Sequence, residues 1–125
     1  MSIEPCLSCR NITASVEFYT QVLDFEVAVA PDPNPETFES RYAALMRSGD
    51  VLHLSSHARE NGVFGVEIYV RVTNVDELCK RFLANGVKLS VPNVGNFPVD
   101  QTWGMREIGL RDPDGNKITI GQPLN

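Results

Sequence analysis

The side chains able to do chemistry fall on strand positions of one parity. A period of two sends neighbouring strand residues to opposite faces, and one set so defined holds Glu4, Cys6, Ser8, Tyr42, Met46, His53, Glu67, Tyr69, Arg71, Glu107, Arg111, Lys117 and Thr119. Carboxylates and an imidazole among phenols and a thioether offer charge, proton exchange and flat apolar surface, the means by which a small polar or cationic molecule is held. Trp103, beside Gly104 and after the loop at 92–101, is expected at the mouth of such a site. Phe38, Tyr42, Tyr69 and Met105 are further candidate contacts, and Glu107 is among the acids that attract cationic groups. Other chemistries lack their residues: there is no nucleophile-elbow sequence and no glycine-rich phosphate loop. Cys6-Leu7-Ser8-Cys9 has the spacing of a redox or zinc pair, but strand positions three apart face opposite ways, so the match reads as coincidence.

These residues are positioned by a unit that occurs twice. Asp112-Pro113-Asp114-Gly115-Asn116 reads as a hairpin turn, since Pro pre-sets one φ angle and Gly and Asn tolerate positive φ. An earlier hairpin, 38–47 with 51–56, turns at Ser48-Gly49-Asp50 and is a worn copy of it. The first copy begins with a strand at 3–10, broken near its start by Pro5, and a helix at 13–23 that Asn11 or Thr13 can cap. A strand at 25–30 and a loop at 31–35 containing three prolines follow. The second copy has a strand at 64–72, then the capping-box-like Asn74-Val75-Asp76-Glu77 opening a helix that Asn85-Gly86 ends. A strand at 87–91 and an irregular loop at 92–101 lead to the last hairpin. Glu4 stands seven before Asn11-Ile12 and Glu67 seven before Asn74-Val75, while His53 follows Gly49-Asp50 as Thr119 follows Gly115-Asn116. The opposite parity, including Leu7, Cys9, Leu45, Leu52, Leu54, Ile68, Val70, Val72, Ile108, Leu110, Ile118 and Ile120, should pack under the helices, with Phe18, Tyr19 and Phe82 in the core.

Bulk properties narrow the function. A chain of 125 residues, 42% apolar and 22% charged, suits one domain stable without metal or disulfide. Eleven basic residues against 16 acidic ones give a net charge of -5, with no basic stripe to follow phosphates, so nucleic acid is excluded and cationic or neutral ligands are favoured. No apolar run is long enough to span a membrane, and residues 1–6 lack the pattern of an export signal, which makes the cytoplasm the expected location. Three cysteines, an odd number, then suit reduced thiols.

Arg10-Asn11-Ile12-Thr13-Ala14-Ser15-Val16-Glu17-Phe18-Tyr19 with Val22-Leu23-Asp24-Phe25, and Asp112-Pro113-Asp114-Gly115-Asn116, resemble the motifs of the vicinal oxygen chelate superfamily, the glyoxalase, bleomycin-resistance and dioxygenase group. The resemblance covers nearly the whole chain. It implies an α+β fold of two tandem βαβββ modules, about 1–56 and 64–122 joined by 57–63, forming one domain with an open barrel-like cleft. A homodimer is the assembly it implies. The metalloenzymes of this family place ligands at positions that match Glu4, His53, Glu67 and Thr119 here. Glu4, His53 and Glu67 suit a divalent metal such as Zn, Ni, Mn or Fe, whereas Thr119 departs from the usual carboxylate. Glu4-Pro5-Cys6-Leu7 and Trp103-Gly104-Met105-Arg106-Glu107 are similar to the bleomycin-resistance branch, which binds its drug without a protein metal site. The leading expectation is therefore a small-molecule binding protein that sequesters a cationic drug or metabolite without an essential metal. The alternative is a metal-dependent lyase, isomerase or dioxygenase using Glu4, His53 and Glu67.

Overall fold

The computed structural model describes residues 1–58, 61–90 and 96–125. The chain forms two compact units, one of residues 1–66 with 112–115 and the other of 67–111 with 116–125. In the first, β1 (Cys6–Ser8), α1 (Ile12–Gln21), β2 (Glu26–Val29), a 3-10 turn (Phe38–Arg41), β3 (Tyr42–Arg47) and β4 (Asp50–Ser55) build a sheet in the order β1-β4-β3-β2. In the second, β5 (Glu67–Arg71), α2 (Val75–Ala84), β6 (Val99–Asp100), β7 (Met105–Arg111) and β8 (Lys117–Pro123) build β5-β8-β7-β6. Each unit is a βαβββ module whose first strand lies parallel to its last, the remaining pairs being antiparallel.

Local chemistry sets these elements. Asn11 caps α1 by accepting from the Ala14 amide at 3.0 Å. Asn74 and Glu77 close a reciprocal box at the start of α2, with Asn74 Oδ1 accepting from the Glu77 amide at 3.1 Å and its Nδ2 donating to Glu77 Oε2 at 3.2 Å. Ser48 and Gly49 both take positive φ, 49° and 88°, the geometry that matches strand twist in a two-residue hairpin turn. The helices pack Tyr19 against β3 and β4, and Val75, Cys79 and Phe82 against β7 and β8, and Leu23, just after α1, is buried as well. Leu7, Leu45, Leu52 and Leu54, and separately Ile108, Leu110, Ile118 and Ile120, form the sheet side of these cores.

The turn at 112–115 belongs with the first unit. Asp112 accepts from the buried Tyr19 hydroxyl at 2.7 Å, and Asp114 accepts from the Arg10 amide at 2.9 Å and the Ser15 hydroxyl at 3.2 Å. Burial, and then the Asp112 carboxylate, push the Tyr19 phenol far above its usual range, so it remains a donor.

Several sequence expectations give way. The first strand shrinks from 3–10 to Cys6–Ser8, because Pro5 has no N–H for a ladder and contributes only its carbonyl, which accepts from the His53 amide at 2.9 Å. The strand expected at 87–91 survives as one bridge, Ser90 to Gly109, with residue 91 outside the described residues. The edge place beside β7 is taken by β6, inside the stretch expected to be irregular, of which 92–95 lie outside the described residues. Phe38–Arg41 coils before β3 begins. Phe18, Ile68, Val70 and Val72 are only half-buried. Conversely Ala44, Glu107 and Thr119, on the polar parity, are buried.

Candidate functional site

In the second unit a carboxylate is roofed by two aromatic rings. Glu107 on β7 stands opposite Gly121 of β8, and Tyr69 on β5 stands opposite Thr119 of β8. The Tyr69 hydroxyl donates to Glu107 Oε2 at 2.7 Å, and the Trp103 indole N–H donates to the same oxygen at 3.1 Å. To reach β7 from β5 the phenol must cross β8, and it does so over Gly121, where an added Cβ would lie 2.6 Å from Tyr69 Cζ. Glu107 is 4% exposed, yet Trp103 and Tyr69 remain 64% and 46% exposed. Their rings therefore present aromatic surface above a fixed negative charge. Desolvation, reinforced by the Glu107 carboxylate, pushes the Tyr69 phenol up to about 12. Met105, two residues before Glu107 on β7, shares its face and is half-buried.

Beside this cluster the buried Thr119 hydroxyl donates to Glu67 Oε2 at 2.7 Å, and Lys117 Nζ lies 3.5 Å from the same oxygen. Thr119 foremost, then Lys117, holds the Glu67 carboxyl below its ordinary value.

The first unit carries a chain of three groups. Glu4 Oε1 lies 2.7 Å from His53 Nε2, and Tyr42 Oη lies 2.6 Å from His53 Nδ1. With the imidazole neutral, the network assigns the proton to Nε2, which donates to Glu4 while Nδ1 accepts from Tyr42. The His53 hydrogen bond holds the Glu4 carboxyl below its usual range. The Tyr42 and His53 rings stack obliquely, 5.8 Å apart at 29°.

The expected ligand-contact residues thus divide. Tyr69, Trp103, Glu107 and Met105 gather on one face of the second unit, while Tyr42 joins His53 in the first. Phe38 joins neither set: its ring stacks on His57, 3.7 Å away at 20°. His57 has no motif around it, and no sequence signal marked it. Nor did sequence reasoning single out Gly121, whose role follows only from the three-strand reach of Tyr69. Cys6 is exposed and Cys9 buried, as their parity requires, and burial pushes the Cys9 thiol up to about 11.

The donors fit a divalent ion in part. Glu4 and His53 bring an oxygen and a nitrogen together, whereas Glu67 belongs to the second unit and shares Oε2 with Thr119 and Lys117. Within each unit, no group of three His, Cys, Asp or Glu side chains among the described residues is placed to hold a metal. No described helix is long and apolar enough to cross a membrane.

Comparison with solved structures finds the same fold. A lactoylglutathione lyase from Agrobacterium tumefaciens superposes with a TM-score of 0.76 at 18% identity, covering 97% of this chain and 92% of that one. A bleomycin-binding protein complexed with bleomycin gives 0.71 at 20% identity, covering 98% of both chains. A glyoxalase/bleomycin resistance protein/dioxygenase from Nocardioides gives 0.73 at 23%, covering 100% of this chain and 85% of its own. No curated protein sequence matches this one. The family model of the glyoxalase group matches residues 3–120. With two βαβββ modules, paired first and last strands in each, and a sequence match over almost its full length, the chain belongs to the glyoxalase/bleomycin resistance protein/dioxygenase superfamily.

Proposed function

We propose that this protein binds and sequesters a small organic cation, a drug or a metabolite, on the aromatic and acidic face of its second unit, without an essential metal. The observation that carries the reading is the convergence of the Trp103 indole and the Tyr69 phenol on one oxygen of the buried Glu107. Two donors fix the carboxylate before any ligand arrives, so little ordering remains to be done on binding. A cation seated against the two rings gains from their π faces and from the charge beneath, while a net charge of -5 raises its local concentration. Nothing in this requires bond making. The bleomycin-binding protein of the same fold is a relative with a bound drug of this kind. We place the protein in the cytoplasm, where its three free cysteines suit a reducing environment, and take it to be a homodimer, which sedimentation would test.

Calorimetric titration with bleomycin-like cations, together with emission from the sole tryptophan, provides the test. Saturable binding should be weakened about tenfold, a difference of about 1.4 kcal/mol, in Trp103→Ala and in Glu107→Gln. Absence of heat and of emission change across several such cations would remove the cation from the proposal.

A second reading rests on the 2.7 Å approach of Glu4 to His53. These two residues would hold a divalent ion, which would supply Lewis-acid chemistry when bound. Stoichiometric Zn, Ni, Mn or Fe in protein purified without chelator, lost in the Glu4→Ala, His53→Ala double variant, would establish this reading over the metal-free one.

A further inference from the structure

We propose a second binding site, in the first unit, for a phosphate group: inorganic phosphate or the phosphate of a small phosphomonoester. A groove of about 620 Å³ is lined by Arg10, Ile12, Pro35, Ser40, Arg41, Ser56 and Asn61. Its volume is that of a small-molecule pocket and exceeds what phosphate alone would fill. On a chain of charge -5 this lining has two guanidinium groups and, among the described residues, no carboxylate.

The two arginines differ in how they are held. Arg10 is fixed: its Cζ lies 3.8 Å over the Phe64 ring centre, and Nη1 lies 3.4 Å from Asp114 Oδ1. That single carboxylate leaves the pair of arginines with net positive charge. Arg41 has its backbone pinned, its carbonyl accepting from the Ser56 amide at 2.9 Å, but its guanidinium makes no hydrogen bond or ion pair with any described residue. A planar fork of donors facing a groove whose described lining has no carboxylate suits a bidentate oxyanion.

Ser56 adds a hydroxyl to the same groove. The residue is 6% exposed and lines the groove, and its hydroxyl has no partner among the described residues. The Ser56 oxygen is not among the fully buried unpartnered polar atoms, so it opens on the groove and can donate to a ligand there. The Ser40 hydroxyl, by contrast, is committed to the Thr37 carbonyl at 2.7 Å and shapes the wall. Helix α1 starts at Ile12, where Asn11 caps it and the Asp114 carboxylate accepts from the Arg10 amide and the Ser15 hydroxyl, so the anion seat rests on the arginines and not on the helix end. Strand pairing brings the end of β1, the start of β3 and the end of β4 side by side, so Arg10, Arg41 and Ser56 meet at one groove, and several donors together suit the oxygen-rich phosphate better than acetate.

The test is titration of the intact protein at constant ionic strength with inorganic phosphate, glycerol phosphate and acetate, followed by calorimetry and by amide chemical shifts. Both phosphates should saturate and shift the amides of Arg41, Ser56 and Ile12, with acetate at least about tenfold weaker. Arg41→Gln should reduce phosphate affinity about tenfold, Arg41→Lys less, and Ser56→Ala a few-fold. Circular dichroism should match the parent protein, since the Arg41 guanidinium makes no bond with any described residue. Affinity unchanged in Arg41→Gln, acetate binding as tightly as phosphate, or no saturation at millimolar phosphate would each overturn the proposal. Cation binding by the second unit should be unaffected by these variants, so this site and the proposed function fail independently.

Discussion

Thr119 donates a 2.7 Å hydrogen bond to Glu67 in the second unit at the place where His53 and Glu4 meet at 2.7 Å in the first. The register is the same in both: His53 pairs across with Ala44 and Thr119 with Gly109, and each carboxylate comes from the strand, or its extension, parallel to the last strand. The two units share one geometry but not one chemistry. An imidazole exchanges a proton or binds an ion, whereas a hydroxyl only fixes its partner. The second unit places its exposed aromatic surface instead at Tyr69 and Trp103, on a carboxylate that occupies the position of Tyr42 in the first.

Replacing Thr119 with Val removes the largest influence lowering the Glu67 pKa, leaving Lys117 and Arg111 to favour the charged form. The Glu67 carboxyl resonance, followed by NMR against pH, should titrate closer to its ordinary 4.5 in this variant. A depressed folded pKa contributes stability that is present above the ordinary value and is lost as pH falls through the folded one. The parent protein should therefore lose more stability on acidification than Thr119→Val, and identical acid profiles would count against the Thr119 hydroxyl as the cause.

Gly121→Ala should be disruptive out of proportion to one methyl group. The new Cβ would fall within the Tyr69 phenol, 2.6 Å from Cζ, so the ring must leave its path across β8 and release Glu107. A cost of about 1–3 kcal/mol in urea unfolding is expected for this overpacking. Pairing it with Tyr69→Ala should recover most of that cost. If the double variant is no more stable than Gly121→Ala alone, the clash lies elsewhere.

Much of this was legible in the sequence, and the limits are physical. Strand parity separated Leu52 and Leu54 from His53 because a period of two is imposed by the backbone itself. The caps at Asn11 and Asn74 and the positive-φ turns were likewise local signals. What parity does not convey is reach: Glu107 and Thr119 read as polar-face residues and are nonetheless buried, because Tyr69 and Trp103 close over one and Glu67 bonds the other. Strand ends were lost for a similar reason, since residues 87–90 are extended in type but, among the described residues, find a single bridge partner, Gly109. The groove between Arg10 and Arg41 joins residues distant in sequence and had no local signature.

Tyr19→Phe tests the turn at 112–115. The hydroxyl is the 2.7 Å donor to a buried Asp112 carboxylate, and its loss leaves that charge one partner short in a site water does not reach freely. Unfolding in urea should show a loss of about 1–3 kcal/mol, with little change in slope because the ring still fills its place. A loss below about 0.5 kcal/mol would mean that the remaining partners of Asp112 suffice.

Tyr69 offers a spectroscopic check on the second-unit cluster. Its phenol is pushed up to about 12 from an ordinary 10.0, by desolvation first and then by the Glu107 carboxylate that accepts its proton's hydrogen bond. Alkaline titration followed by phenolate absorbance should therefore show one of the three tyrosines titrating near 12. Because the folded value is raised, the associated stability is fully present below pH 10 and is lost as pH rises toward 12. Glu107→Gln keeps the shape, removes the charge and should bring this titration back toward 10.0, leaving only the desolvation part of the shift. A tyrosine that titrates identically in Glu107→Gln would sever the phenol from the carboxylate, and with it the preformed anionic seat on which cation binding is proposed to depend.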